Sequence, residues 1–196
     1  RLSSSRRKGP ELENRRKSGW LFHVVYWVFI LVGYALMSWL VAGHRDGPLP
    51  WPTLLVFFAF LLGADTKLSE SQASGGRVMS SKSIVLSAIA LFGPVVAAVM
   101  EAASALVRGL ILRNTTPRKA MFNSAMLGTA AAVAGLVYQA LPWSNAFQGP
   151  AFFVPLAVAM LVHSVVNHFM LGAIISLDAH IPIARVYHRN FSWPRF

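Results

Sequence analysis

The chain has 196 residues, 55% of them apolar and only 13% charged, which excludes a soluble domain of ordinary composition. Its formal charge of +11 would suit a nucleic-acid binder, but seven of its eighteen Lys and Arg fall within residues 1–17 and most others flank apolar runs, so the basicity belongs to membrane edges. The lack of cysteine excludes a disulfide frame, a thiolate nucleophile and a Cys-based metal site.

Residues 1–19, RLSSSRRKGPELENRRKSG, carry nine charges and a Gly-Pro break, and predict a mobile cytoplasmic arm that attracts anionic lipids. The apolar run 20–42 is too long for the core of a signal peptide and predicts a first span. A second run, 51–65, follows the turn-rich HRDGPLP. Its roughly 14 apolar residues make about 21 Å of helix against a hydrocarbon core of about 30 Å, so it is short or re-enters. The Ser-rich stretch up to residue 80, with Gly75 and Gly76, predicts a loop.

Residues 81–112 hold Gly93-Pro94 near their middle. Proline suits the first turn of a helix and disrupts its interior, so the stretch predicts two helices, 81–93 and 94–112. Counting them as a pair returns the basic loop 113–119 to the cytoplasm, whereas a single span would place Arg113, Arg118 and Lys119 outside, against the positive-inside rule. Spans at 120–141 and 151–177 follow, separated by the turn signals PWSNAFQGP, and residues 181–196 form a basic, aromatic cytoplasmic tail. This threading places seventeen of the eighteen cationic side chains on one face, with Arg45 on the other and Trp20, Trp51 and Trp143 as interfacial anchors. The expected fold is all-α: a polytopic membrane bundle over residues 20–180 of about six segments, including the short second segment and the Gly-Pro-broken pair.

Ionisable groups at membrane depth are costly and mark candidate sites. Glu101, Ser104 and Arg108 share one helical face at i, i+3 and i+7 among small residues, and suggest a polar cavity lining with Arg108 as partner of Glu101 or as an anion clamp. The plainer alternative is a structural contact at Glu101 and an Arg108 that snorkels to the headgroups. In the last span His163 and Asn167 share a face, while His168 projects about 140° away from His163. The two histidines therefore make a poor metal site, and no HExxH pattern is present. An interhelical hydrogen bond from His163 or Asn167 is the expectation, with pigment or haem ligation by His163 or His168 as an alternative. Asn123 sits in the first turns of its segment, where it would cap, pack or reach Asn167. There is no phosphate loop, nucleophile triad or catalytic carboxylate pair, so the chain carries no enzyme signature and predicts no metal or cofactor.

From about residue 53 onward the pieces GGRVMSS, LFGPVVAA, KAMFNSA, AGLVYQAL, HSVVNHFM and RVYHRNFSW, in this order, resemble the N-terminal membrane region of bacterial HD-GYP and GGDEF cyclic-di-GMP signalling proteins. The resemblance implies a helical bundle in the bacterial cytoplasmic membrane that senses or relays a signal to a cytoplasmic output domain. It maps Phe122, Asn123 and Asn167 onto recurrent positions without assigned roles. In architecture the chain is also similar to the six-helix substrate-binding components of energy-coupling-factor transporters, which implies small-molecule binding or transport. A third expectation is an accessory subunit of an energy-converting or photosynthetic membrane complex.

Overall fold

The computed structural model describes the backbone of residues 8–43, 51–71, 80–112, 115–142 and 152–190, and side chains within 20–43, 52–64, 82–111, 115–142 and 152–188. Six α-helices follow in order: α1 (Lys8–Gly43), α2 (Trp51–Ser71), α3 (Ser80–Val107), α4 (Pro117–Ala140), α5 (Phe153–Ala179) and α6 (Ile183–Asn190), with a π-helical turn, Arg108–Leu112, closing α3. No strand occurs among the described residues. The stretches Trp20–Gly43, Lys82–Ile111, Pro117–Ala140 and Phe153–Ala179 are long and apolar enough to cross a membrane, and Pro52–Ala64 is a shorter apolar helix. The protein is an all-α helical bundle.

Two helices run further than their apolar cores predict. α1 begins at Lys8, inside the stretch expected to be a mobile arm, and α2 continues to Ser71, inside the expected loop. Extending a helix adds a hydrogen bond for each residue fixed, without a second nucleation cost, so an apolar span carries its helix into polar flanks. Residues 1–7, the Gly75-Gly76 pair and Trp143 lie outside the described residues, as does the Trp51 side chain, while Trp20 is 67% exposed.

Small residues set the packing, because lipid provides no hydrophobic drive between apolar helices and close backbone approach must supply the contact. α3 is broken at Gly93, and its second arm, residues 94–107, runs antiparallel to α4. A Cβ on Gly135 would meet Pro94 at 2.6 Å, one on Gly128 would meet Ala102 at 2.9 Å, and one on Gly109 would meet Ala120 at 2.7 Å. The Ala-rich stretches 97–105 and 125–134 are thus the seam that their composition predicts. α1 runs parallel to α4: the Tyr26 hydroxyl donates to the Arg118 carbonyl at 2.8 Å and the Tyr34 hydroxyl to Ser124 Oγ at 3.1 Å, and Met37 lies against Gly128. Ser124 Oγ in turn donates to the Ala102 carbonyl at 2.8 Å, which ties three helices together at one level.

α5 runs the other way. Its Met170 and Ile174 join Tyr26, Ile30 and Phe122 in one core cluster near the start of α4. At that end the Arg118 guanidinium lies 4.3 Å over the Tyr26 ring and 5.5 Å from the Phe22 ring, and bonds His23 Nδ1 at 2.8 Å. Proline at the first position opens α4 with its ring already set for helical φ. After α5, His180 adopts a left-handed conformation (φ 54°, ψ 38°) and turns the chain into α6, whose Val186 is fully buried and whose Tyr187 packs on Gly172. The basic tail thus contains a helix that its polar composition does not announce.

The feature that positions the site is Gly93. Its φ of 80° and ψ of 179° are non-helical and lie in a region that essentially only glycine occupies. A straight helix would hold Lys82 and Glu101 about 28 Å apart. Instead Lys82 Nζ donates to Ser164 Oγ at 3.1 Å, while Glu101 bonds the adjacent residue of α5, His163, at 2.9 Å. The two arms of α3 therefore fold back toward each other at Gly93-Pro94, as the helical pair in the sequence predicts.

Candidate functional site: a buried carboxylate–imidazole pair

Between the second arm of α3 and α5 lies a polar cluster enclosed by apolar helices. Glu101 is 6% exposed and His163 3% exposed, and His163 Nε2 lies 2.9 Å from Glu101 Oε2 and 3.2 Å from Oε1. A carboxylate only accepts, so in the ionised pair Nε2 carries the hydrogen and donates it across both oxygens. Burial of either group alone would be costly, and the bond between them pairs the carboxylate with His163 Nε2 at the level where α3 and α5 meet.

The second arm of α3 and α5 both descend toward the start of α4, since Gly109 abuts Ala120 while Met170 clusters with Phe122. Ser104 is therefore one turn beyond Glu101, and Asn167 one turn beyond His163, in the same next layer. Three atoms of this column are buried without a hydrogen-bond partner: His163 Nδ1, Ser104 Oγ and Asn167 Oδ1. Such groups are rare in folded interiors, where unpaired polar atoms cost free energy.

Of the residues the sequence nominates, Glu101 and His163 are joined directly and Ser104 and Asn167 continue the column. Arg108 lies two turns from Glu101, in the π-helical turn, and both carboxylate oxygens lie within hydrogen-bond distance of His163 Nε2. Of the three roles open to Asn123, the bond to Asn167 does not form among the described residues, where Asn167 Oδ1 has no partner. Asn123 is half-buried on α4 beside Phe122, whose ring stacks on Tyr26 at 4.8 Å. His168 bonds the Ser164 backbone one turn back along its own helix. No group of three or more His, Asp or Glu able to hold a metal occurs among the described residues.

Sequence reasoning missed Lys82 and Ser164. Lys82 stands at the polar edge of its apolar run and reads as a loop charge, yet the fold-back at Gly93 brings it near enough to Glu101 for their charges to interact. Its only sequence signal is the Gly-Pro break eleven residues on. The assembled cluster holds an acid, a base and a cation in an apolar interior, an arrangement suited to taking up and releasing a proton or to recognising a small polar ligand. No known family model matches the chain, and no curated protein or solved structure is similar to it.

Proposed function

We propose that the chain is a non-catalytic membrane module that senses a signal within the bilayer and relays it to a cytoplasmic output domain or partner. In this proposal it is a bacterial cytoplasmic-membrane protein with both termini inside. The carrying observation is the Glu101–His163 bond, which couples the folded-back helix to α5 and, through the His180 turn, to α6. A change in charge or occupancy at the pair alters a buried polar contact between these helices, beside the Lys82–Ser164 bond, and α5–α6 offers the path to the cytoplasmic side. The resemblance to the membrane regions of cyclic-di-GMP signalling proteins points the same way.

The three unpartnered buried atoms favour one alternative, a small-molecule-binding or transport module with its site beside a broken helix. Isolation of the protein from its native membrane in mild detergent separates the two. Co-purification of a cytoplasmic protein bearing an output domain supports the relay. A stoichiometric small molecule with no protein partner would replace it with the alternative.

A further inference from the structure

The column of polar atoms between α3 and α5 says what the sensed species is. We infer that Glu101 and His163 form a proton-binding site, filled from the end of the bundle where α4 begins, by way of Ser104 and Asn167. The inference rests on the relay reading for its consequence, but not for its chemistry.

At 2.9 Å the carboxylate and imidazole are in direct contact, so nothing larger than a proton fits between them. With Nε2–H donated to Glu101, a neutral His163 keeps its lone pair on Nδ1, the nitrogen that has no partner. Nδ1 is therefore the open acceptor. A water hydrogen-bonded by Ser104 Oγ and Asn167 Oδ1, both buried and unpartnered in the next layer, has the polar partners that a buried water requires.

The step balances. A hydronium gives its proton to Nδ1 and leaves as water, forming an imidazolium beside the carboxylate. The Nε2–H bond then breaks as an O–H bond forms on Oε2, leaving the neutral acid and the neutral imidazole in its other tautomer. The first step takes the pair from a charge of minus one to zero, and the second leaves it at zero.

The surrounding charges leave few competitors. The first arm of α3 presents Lys82, whose positive charge balances the ionised pair, and α5 presents His168. Arg108 lies two turns below on α3. Between residues 120 and 140 α4 has no acid, Lys, Arg or His, and its Tyr138 belongs to the core near the far end. The described side chains of α2 include no titratable group. On α1, Tyr34 is engaged by Ser124, while His23 and Tyr26 sit with Arg118 at the α4 start.

Infrared difference spectroscopy on the full chain in lipid nanodiscs tests this without a partner protein. On acidification, a protonated-carboxyl band should appear that is absent in Glu101→Gln and whose pH response moves in His163→Gln. In the unmodified protein with 15N-labelled histidine, the ring resonance that His163→Gln removes should change over the same pH range, so the inference stays testable if Glu101→Gln does not fold. Ser104→Ala and Asn167→Leu should each slow deuterium exchange of that carboxyl several-fold. No Glu101 band and a pH-invariant His163 ring would overturn the site, and unaltered exchange in both variants would overturn the path. Proton uptake with no response in a co-purified partner would defeat the relay alone.

Discussion

Truncating Glu101 to alanine leaves His163 Nε2 without its acceptor in an apolar interior, whereas Glu101→Gln retains a carbonyl oxygen at nearly the same place. Interhelical hydrogen bonds in membranes contribute about 1 kcal/mol, and a stranded buried polar group costs about 1–3 kcal/mol. Thermal unfolding in detergent should therefore show Glu101→Ala destabilised by about 1–2 kcal/mol and Glu101→Gln by clearly less. The double variant Glu101→Ala/His163→Ala should be less destabilised than the sum of the singles, because the second change removes the orphan created by the first. Strict additivity would mean that the two side chains do not support each other. Glu101 and His163 are legible in the sequence as costly groups at membrane depth, but their pairing is not. It needs the second arm of α3 and α5, two reversals apart in the chain, to be neighbours, and periodicity within a segment does not say which segments touch. Helical periodicity alone offers Arg108 instead, on the right face but about 10.5 Å further along the axis.

The elements meet where glycine and proline remove obstacles. A Cβ on Gly135 would lie 2.6 Å from Pro94 Cβ and 2.7 Å from Pro94 Cα, so α4 must move away from the α3 break to accept it. Gly135→Ala should cost about 1–3 kcal/mol, as overpacking does in tight cores. At Gly93 the penalty for alanine comes from the backbone itself, of order 1–3 kcal/mol for a residue forced into that region, and the variant should relieve it by straightening α3. Straightening separates Lys82 from Glu101, so cross-linking between cysteines introduced at the positions of Lys82 and Ser164 should fall in Gly93→Ala. Gly128→Leu, aimed at Met37 and Ala102, should disrupt assembly far more than Leu91→Ala, since Leu91 is 58% exposed. Equal tolerance at the two positions would refute the small-residue seam. The break and the seam are legible because Gly-Pro and runs of alanine have few uses inside a membrane helix. The extension of α1 to Lys8 and the short α6 are not, because the first is carried by the apolar span that follows it and the second is held by its packing on α5.

For the molecule as a whole, the packing places several cationic ends together. Parallel α1 and α4, joined from Tyr26 to Arg118, put the start of the first apolar stretch beside the first turn of α4. The returning α5 brings Met170, Ile174 and then α6, with its exposed Arg185, to that same end. Translocated loops are depleted of Lys and Arg, so this end should face the cytoplasm. A topology reporter inserted within 113–119 should read cytoplasmic, in agreement with one fused ahead of residue 20. Charge can be separated from packing here: Arg118 stacks on two rings and bonds His23, so neutralising it alters the fold as well as the field. Replacing only Arg113 and Lys119 with glutamine should leave the bundle stable and yield a detectable fraction of inverted chains. An outward reading from the 113–119 reporter in the unmodified chain would place the fold-back at Gly93 on the wrong side, and the path through Ser104 and Asn167 would then open away from the cytoplasm.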